Sequence, residues 1–228
     1  MIRKYKALSL AMMALFAFGA IAAQSASANP LTVGEGAATL FVTGTSDPVG
    51  STHTLTVEPG LSVECTHSLY RGSAAVTSGA VNHITLTPEY TNCKAFGFAT
   101  AHVSTAGCVF TLTTPTSLVK GTSVTWHPSQ IHVVCEGTKK ITITPTSFGV
   151  SVCTASVGTQ TPTAGHLVSK NLAATNELTD EATVEGVAYT STSSPCGKGG
   201  NTAKFIGNTT TTCWSNAAHT VKVSCRWS

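Results

Sequence analysis

The chain has few charged and few aromatic residues. Charged side chains make up 10% of its 228 residues and aromatic ones 7%, whereas a typical soluble domain has about 25% charged residues. Three of the 13 Lys and Arg residues lie within residues 1–28, and the other 10 are balanced by 10 Asp and Glu. We therefore expect neither nucleic acid nor an anionic membrane surface as a partner, because both require a basic face.

Common catalytic motifs are also missing. The chain contains no G-x-S-x-G elbow, no H-E-x-x-H pair and no G-x-x-x-x-G-K-[ST] loop. The run Gly197-Lys198-Gly199-Gly200 lacks the spacing of a phosphate loop and indicates a turn instead. We predict no catalytic residue and no cofactor, so a non-enzymatic protein is favoured over an enzyme.

Closely spaced cysteine pairs, which structural zinc sites usually need, are absent as well. The sequence has eight cysteines with no C-x2-C or C-x4-C spacing: Cys65, Cys93, Cys108, Cys135, Cys153, Cys196, Cys213 and Cys225. We predict no metal site and four disulfides. Eight cysteines allow 105 connectivities, and we predict the neighbouring pairs Cys65–Cys93, Cys108–Cys135, Cys153–Cys196 and Cys213–Cys225.

The N-terminus has the three parts of an export signal. Basic residues come first, an apolar run from Ala7 to Ala23 follows, and Ala26-Ser27-Ala28 fits an A-x-A cleavage site. A retained membrane anchor is the alternative, but the run is at the low limit for spanning a bilayer. We predict a signal peptide over 1–28 and a mature domain over 29–228 that is secreted, extracellular or in the cell envelope, with no membrane span.

Along the mature chain, apolar and polar residues alternate with a period of two, in short runs rich in threonine and punctuated by Gly, Pro, Ser and Asn. This pattern predicts an all-β fold, an antiparallel β-sandwich stapled by disulfides. The segment His219 to Trp227 alternates without a break and is predicted to be one strand. Lys170 to Thr183 lacks an apolar stripe and is predicted to be a loop. Residues 158–165 mark a possible boundary between two lobes.

Faces predicted from this alternation place Cys65, Cys108, Cys135 and Cys225 beside apolar neighbours in the core. Cys153 is the exception, because Val150 and Val152 face the other way. An immunoglobulin-like architecture is compatible with the pattern. A true immunoglobulin domain is not, since Trp126 comes too late after the first cysteine.

Candidate binding residues are few. Trp126 and Trp214 stand near strand ends, where partly exposed rings could stack on sugars or peptides. His127 and His132 lie on either side of Pro128, and we predict that they do not bind a common metal ion. The acidic group Glu177, Asp180, Glu181 and Glu185 includes carboxylates that could act in glycoside hydrolysis, although a solvated loop explains them better.

Three stretches carry a resemblance to known proteins: Thr85 to Gly97, Gly107 to Leu112, and Val133 to Ile143. Together they resemble a group of secreted, cysteine-containing bacterial all-β proteins, over roughly residues 65–153. The resemblance implies an exported bacterial β protein and carries no catalytic motif.

Two classes of function remain. The first is a non-enzymatic secreted or envelope-associated β protein with a structural or binding role toward an extracellular partner. The alternative is a secreted hydrolase or carbohydrate-binding module built on Trp126, Trp214 and the acidic group.

Overall fold

The computed structural model describes residues 31–33, 38–46, 51–57, 60–77, 80–81, 83–113 and 123–227. The predicted signal peptide, residues 1–28, lies outside the described residues. Within these ranges no helix is long and apolar enough to cross a membrane.

The described chain forms 18 β-strands and two short 3-10 turns, at Pro128–Gln130 and Ser194–Cys196. In chain order the strands are β1 Leu31–Val33, β2 Thr39–Ser46, β3 His53–Val57, β4 Ser62–Thr77, β5 Ala80–Val81, β6 His83–Ala95, β7 Ala99–Ser104, β8 Cys108–Thr113, β9 Ser123–Trp126, β10 Ile131–Cys135, β11 Ile141–Ser147, β12 Val150–Ser151, β13 Ala155–Val157, β14 Ala164–Leu172, β15 Glu177–Ser191, β16 Gly200–Trp214, β17 Lys222–Val223 and β18 Cys225–Trp227. The predicted all-β fold is confirmed.

The alternation of apolar and polar side chains explains why these segments form strands with one buried face. In β11 the side chains of Ile141, Ile143 and Pro145 are buried, while the threonines between them are half-buried. Threonine suits the outer positions because its branched Cβ favours an extended backbone and its hydroxyl tolerates water. Turns between strands use residues with positive φ, as at Gly97 between β6 and β7 and at Gly149 between β11 and β12.

One half of the fold is a closed ring of antiparallel strands. Hydrogen bonding runs in the order β3, β4, β6, β7, β11, β13, β15, β16 and back to β3. The β13–β15 contact is the shortest of the ring, with only two residue pairs, Ala155↔Ser191 and Ser156↔Thr190. The alternating pattern predicts inner and outer faces, but it does not predict this closure.

The long strands β4, β6, β15 and β16 continue into the other half of the fold. There the order is β10, β8, β6, β4, β2, β16, β15, β14, β9. A small sheet formed by β5, β1 and β18 pairs with the end of β4. The predicted lobe boundary, residues 158–165, covers the connection between β13 and β14 and the first two residues of β14. In this segment Gln160 bonds to Val133 of β10 and to Ala188 of β15.

All eight cysteines are buried, and they form the four predicted pairs: Cys65–Cys93, Cys108–Cys135, Cys153–Cys196 and Cys213–Cys225. The first two disulfides join residues that lie directly opposite each other on neighbouring strands. Cys153 follows β12 outside any strand, so the alternation of Val150 and Val152 does not constrain its side chain.

Two predicted segments are wrong. The chain from His219 to Trp227 is not one strand, because Asn216 Oδ1 accepts hydrogen bonds from the backbone N–H groups of Thr220 and Val221 and holds a turn there. Val221, which one continuous strand would place on the same face as the buried Cys225, is 52% exposed. The segment from Lys170 to Thr183, predicted to be a loop, is the end of β14, a short turn and the start of β15.

Candidate functional site

A cavity of about 210 Å³ lies inside the closed sheet. Its walls come from both halves of the fold and are mostly aliphatic and aromatic side chains, including Leu55, Leu86, Phe110, Leu167 and Phe205. These residues point inward and pack on the core, yet they keep accessible surface. Their surface therefore faces the cavity.

Three polar side chains of the wall form a cluster with Ser68, which does not itself line the cavity. We call His53, Ser68, Tyr70 and Tyr90 the tyrosine cluster. His53 Nδ1 lies 3.0 Å from the Tyr70 hydroxyl, and that hydroxyl lies 2.9 Å from the hydroxyl of Tyr90. His53 Nε2 lies 3.0 Å from the backbone oxygen of Asn208 and 2.9 Å from Ser68 Oγ.

The backbone partner fixes one hydrogen bond of His53. The Asn208 carbonyl can only accept, so Nε2 of His53 carries a hydrogen and donates to it. Burial lowers the pKa of His53, although this hydrogen bond acts in the opposite direction. In the neutral ring Nδ1 accepts from Tyr70. Either hydroxyl can be the donor between Tyr70 and Tyr90, and Tyr90 lines the cavity.

A second polar group, the aspartate cluster, consists of Ser169, Asp180, Thr209 and Thr211. Thr211 and Thr209 donate to Asp180 Oδ2 over 2.5 Å and 3.5 Å. Ser169 Oγ accepts from the indole N–H of Trp227 at 2.9 Å and donates its own proton toward Asp180. Burial raises the pKa of Asp180, and the three hydroxyl groups offset part of that rise.

Strand β15 explains why Asp180 alone is inside. Its side chain shares the inner face with Leu178 and Ala182, which also line the cavity. The other three carboxylates of the acidic group lie on the outer face, where each pairs with a lysine: Glu177 with Lys222, Glu181 with Lys170 and Glu185 with Lys204. The expected solvated loop is therefore wrong, and the four carboxylates do not form one site.

The tyrosine cluster and the aspartate cluster lie on either side of Gly44 in β2. A Cβ atom built on Gly44 would lie 3.5 Å from Tyr70 Cβ and 3.2 Å from Thr211 Oγ1. At Gly207 a Cβ atom would lie only 2.5 Å from His53 Nδ1. The sheet thus needs a glycine at 207 for the imidazole to lie flat against β16.

We expect Gly207→Ala to displace His53 and to lower the free energy of unfolding by about 1–3 kcal/mol, the usual effect of overpacking. Gly44→Ala is the matched control, since its new methyl group makes contacts that small shifts relieve, and its loss should be smaller. Urea unfolding of both variants measures this. Equal losses in the two variants would contradict the argument.

Aromatic side chains form one end of the cavity. Trp126 is 2% exposed and packs edge-to-face on Trp227, with ring centroids 5.0 Å apart. The predicted partial exposure of Trp126 is wrong, because pairing of β9 with β14 turns its ring inward. Trp227 is buried as well. Trp214 is half-buried outside the cavity and donates from Nε1 to Thr43 Oγ1 at 2.9 Å.

His127 and His132 do not form a common site. His127 is exposed, while His132 Nδ1 lies 2.7 Å from Thr161 Oγ1. Across the described ranges, no three His, Cys, Asp or Glu side chains are grouped as metal ligands. His53, which the sequence did not single out, is the histidine at the centre of the polar wall.

Comparisons with protein-family profiles, with curated proteins and with solved structures give no match. The fold and the site therefore define the class of this protein by themselves. It is an all-β, disulfide-stapled protein whose closed sheet surrounds an apolar cavity with two polar clusters in its wall.

Proposed function

We propose that this chain is an exported, non-enzymatic binding protein that encloses one small, mostly apolar molecule in its internal cavity. The cavity itself carries the proposal. Protein interiors are close-packed, and voids larger than a water molecule are few. A roughly 150 Å³ apolar cavity is enough to bind benzene, and this cavity measures about 210 Å³.

The stability that a ligand would add supports the same conclusion. At roughly 24 cal/mol per Å³ of apolar cavity, a molecule that fills 210 Å³ would contribute up to about 5 kcal/mol. That is a large share of the total stability of a typical domain. A molecule with an aromatic ring and a short chain would fill this space and restore the missing contacts with Leu86, Phe110 and Phe205.

The export signal and the disulfides are part of the proposal. Residues 1–28 direct the chain out of the cytoplasm. Outside it, in an oxidising compartment, the four disulfides form and persist. The disulfides hold the sheet closed around the ligand. The alternative surface site for carbohydrate loses one of its two aromatic platforms, because Trp126 is buried.

Isothermal titration calorimetry with n-propylbenzene tests the proposal. We expect saturable binding with one site per chain for the unmodified protein. Ala182→Phe places a benzyl group in the cavity from the inner face of β15 and should abolish the binding heat. Ala188→Phe, the same change at an exposed position of the same strand, is the matched control and should bind as the unmodified protein does.

Absence of saturable binding to the unmodified protein would contradict the proposal. So would equal binding by the two phenylalanine variants, because the ligand would then lie outside the cavity.

A further inference from the structure

The polar side chains around Asp180 favour a ligand that donates hydrogen bonds. An ionised Asp180 accepts only. Thr209 and Thr211 direct their protons to Asp180, so they offer only lone pairs to a ligand. Trp126 Nε1 has the opposite character, because it is a buried donor without a hydrogen-bond partner among the described residues, and Trp126 lines the same cavity. The surroundings of Asp180 therefore call for a donor on the ligand, while Trp126 offers one to it.

Asp180 also has no counter-charge within the part of the chain that the structure describes. None of the ion pairs among the described residues includes it, and the lysine nearest along β14, Lys170, pairs with Glu181 on the outer face. Buried charges in proteins are normally paired. Burial raises the pKa of Asp180, and a cation beside the carboxyl group would favour its ionised form.

Aromatic rings complete the arrangement. Trp126, Trp227, Phe110 and Phe205 line the same cavity. The faces of such rings attract cations. An anionic head group beside Asp180 would instead meet a carboxylate and the lone pairs of Thr209 and Thr211.

Resting on the proposed function, we infer that the ligand is an apolar or aromatic amine whose ammonium group pairs with Asp180 while its ring or chain fills the apolar part of the cavity. The ammonium donates to the Asp180 carboxylate and replaces its missing counter-charge. The hydroxyls of Ser169, Thr209 and Thr211 already hold the carboxylate in place, so the site is organised before the amine arrives.

Calorimetric titration with four molecules of one shape tests this inference: 2-phenylethylamine, 2-phenylethanol, phenylacetate and n-propylbenzene. We expect the amine to bind most tightly and phenylacetate most weakly. In Asp180→Asn, which keeps the shape of the side chain, the amine should bind about 30-fold more weakly or worse, as for other charge pairs that lose one partner. Binding of n-propylbenzene should change little and shows that this variant is folded.

Glu181→Gln is the matched control, because Glu181 is the adjacent carboxylate on the outer face of the same strand. It should leave all four affinities unchanged. Binding of n-propylbenzene with no preference for the amine over the alcohol, or an Asp180→Asn variant that keeps the preference, would overturn the inference and leave the proposed function standing. If none of the four molecules binds, the proposed function fails and the inference fails with it.

Discussion

Replacing Trp227 by alanine is expected to lower the free energy of unfolding by about 3–5 kcal/mol, the usual cost of truncating a large buried aromatic side chain. Trp227 is buried and packs on Trp126 at a centroid distance of 5.0 Å. It borders a cavity that already exists, so the lost volume would add to that space. The cost should therefore lie toward the upper end of the range.

Trp227→Phe separates packing from hydrogen bonding. Phenylalanine keeps much of the apolar contact but cannot donate to Ser169 Oγ, which Trp227 Nε1 reaches at 2.9 Å. We expect this variant to lose about 1–3 kcal/mol, the cost of leaving a buried polar group unsatisfied. Urea unfolding under non-reducing conditions measures both variants. An alanine variant as stable as the phenylalanine variant would contradict the assignment of Trp227 to the core.

The first two cysteine pairs could be predicted because the strands that carry them are close along the chain, with one short strand between them. Cys65 and Cys93 lie on β4 and β6, which pair directly, and Cys108 and Cys135 lie opposite each other on β8 and β10. Alternation placed three of these four cysteines, Cys65, Cys108 and Cys135, on apolar faces. Their burial follows from that pattern, whereas the pairs were predicted as neighbours along the chain.

Asp180 could not be placed inside by the same reasoning. The outer face of β15 carries Glu177, Glu181 and Glu185. On its inner face Asp180 interrupts the apolar residues, so the alternation of apolar and polar side chains is hard to detect. The sequence does carry a signal for this strand, because the residues at every second position around Asp180 are apolar: Leu178, Ala182 and Val184. Reading that alternation would have predicted both the strand and the inward carboxylate.

The tyrosine cluster has no local signal at all. His53, Tyr70 and Tyr90 are 17 and 20 residues apart along the chain. They meet because β3 and β4 pair with His53 opposite Cys65, while β4 and β6 pair with Tyr70 opposite Pro88. Composition and periodicity do not determine this register. The closure of the ring is unpredictable for the same reason, because it depends on pairing between strands that are distant in sequence.

Ring closure makes Cys153–Cys196 the disulfide whose loss should matter most. It spans 43 residues, against 12 for Cys213–Cys225. In the chain-entropy model the longer loop contributes about 4 kcal/mol and the shorter about 3 kcal/mol. The position of the Cys153–Cys196 disulfide in the fold adds to this difference in stability. Cys153 precedes β13 and Cys196 follows β15, so the bond reinforces the two-residue ladder that closes the ring.

We therefore expect the double variant Cys153→Ala with Cys196→Ala to lose about 4 kcal/mol, or roughly 8–16 °C in Tm, and to exchange the amide hydrogens of Ala155 and Ser156 faster. The matched control is Cys213→Ala with Cys225→Ala, which should lose less and leave those amides protected. Calorimetry and hydrogen exchange measure the two effects. A larger loss in the control, or unchanged exchange in β13, would show that the ring stays closed without this bond. If the ring does open, binding of n-propylbenzene should weaken in the first variant alone, because the cavity then loses one of its walls.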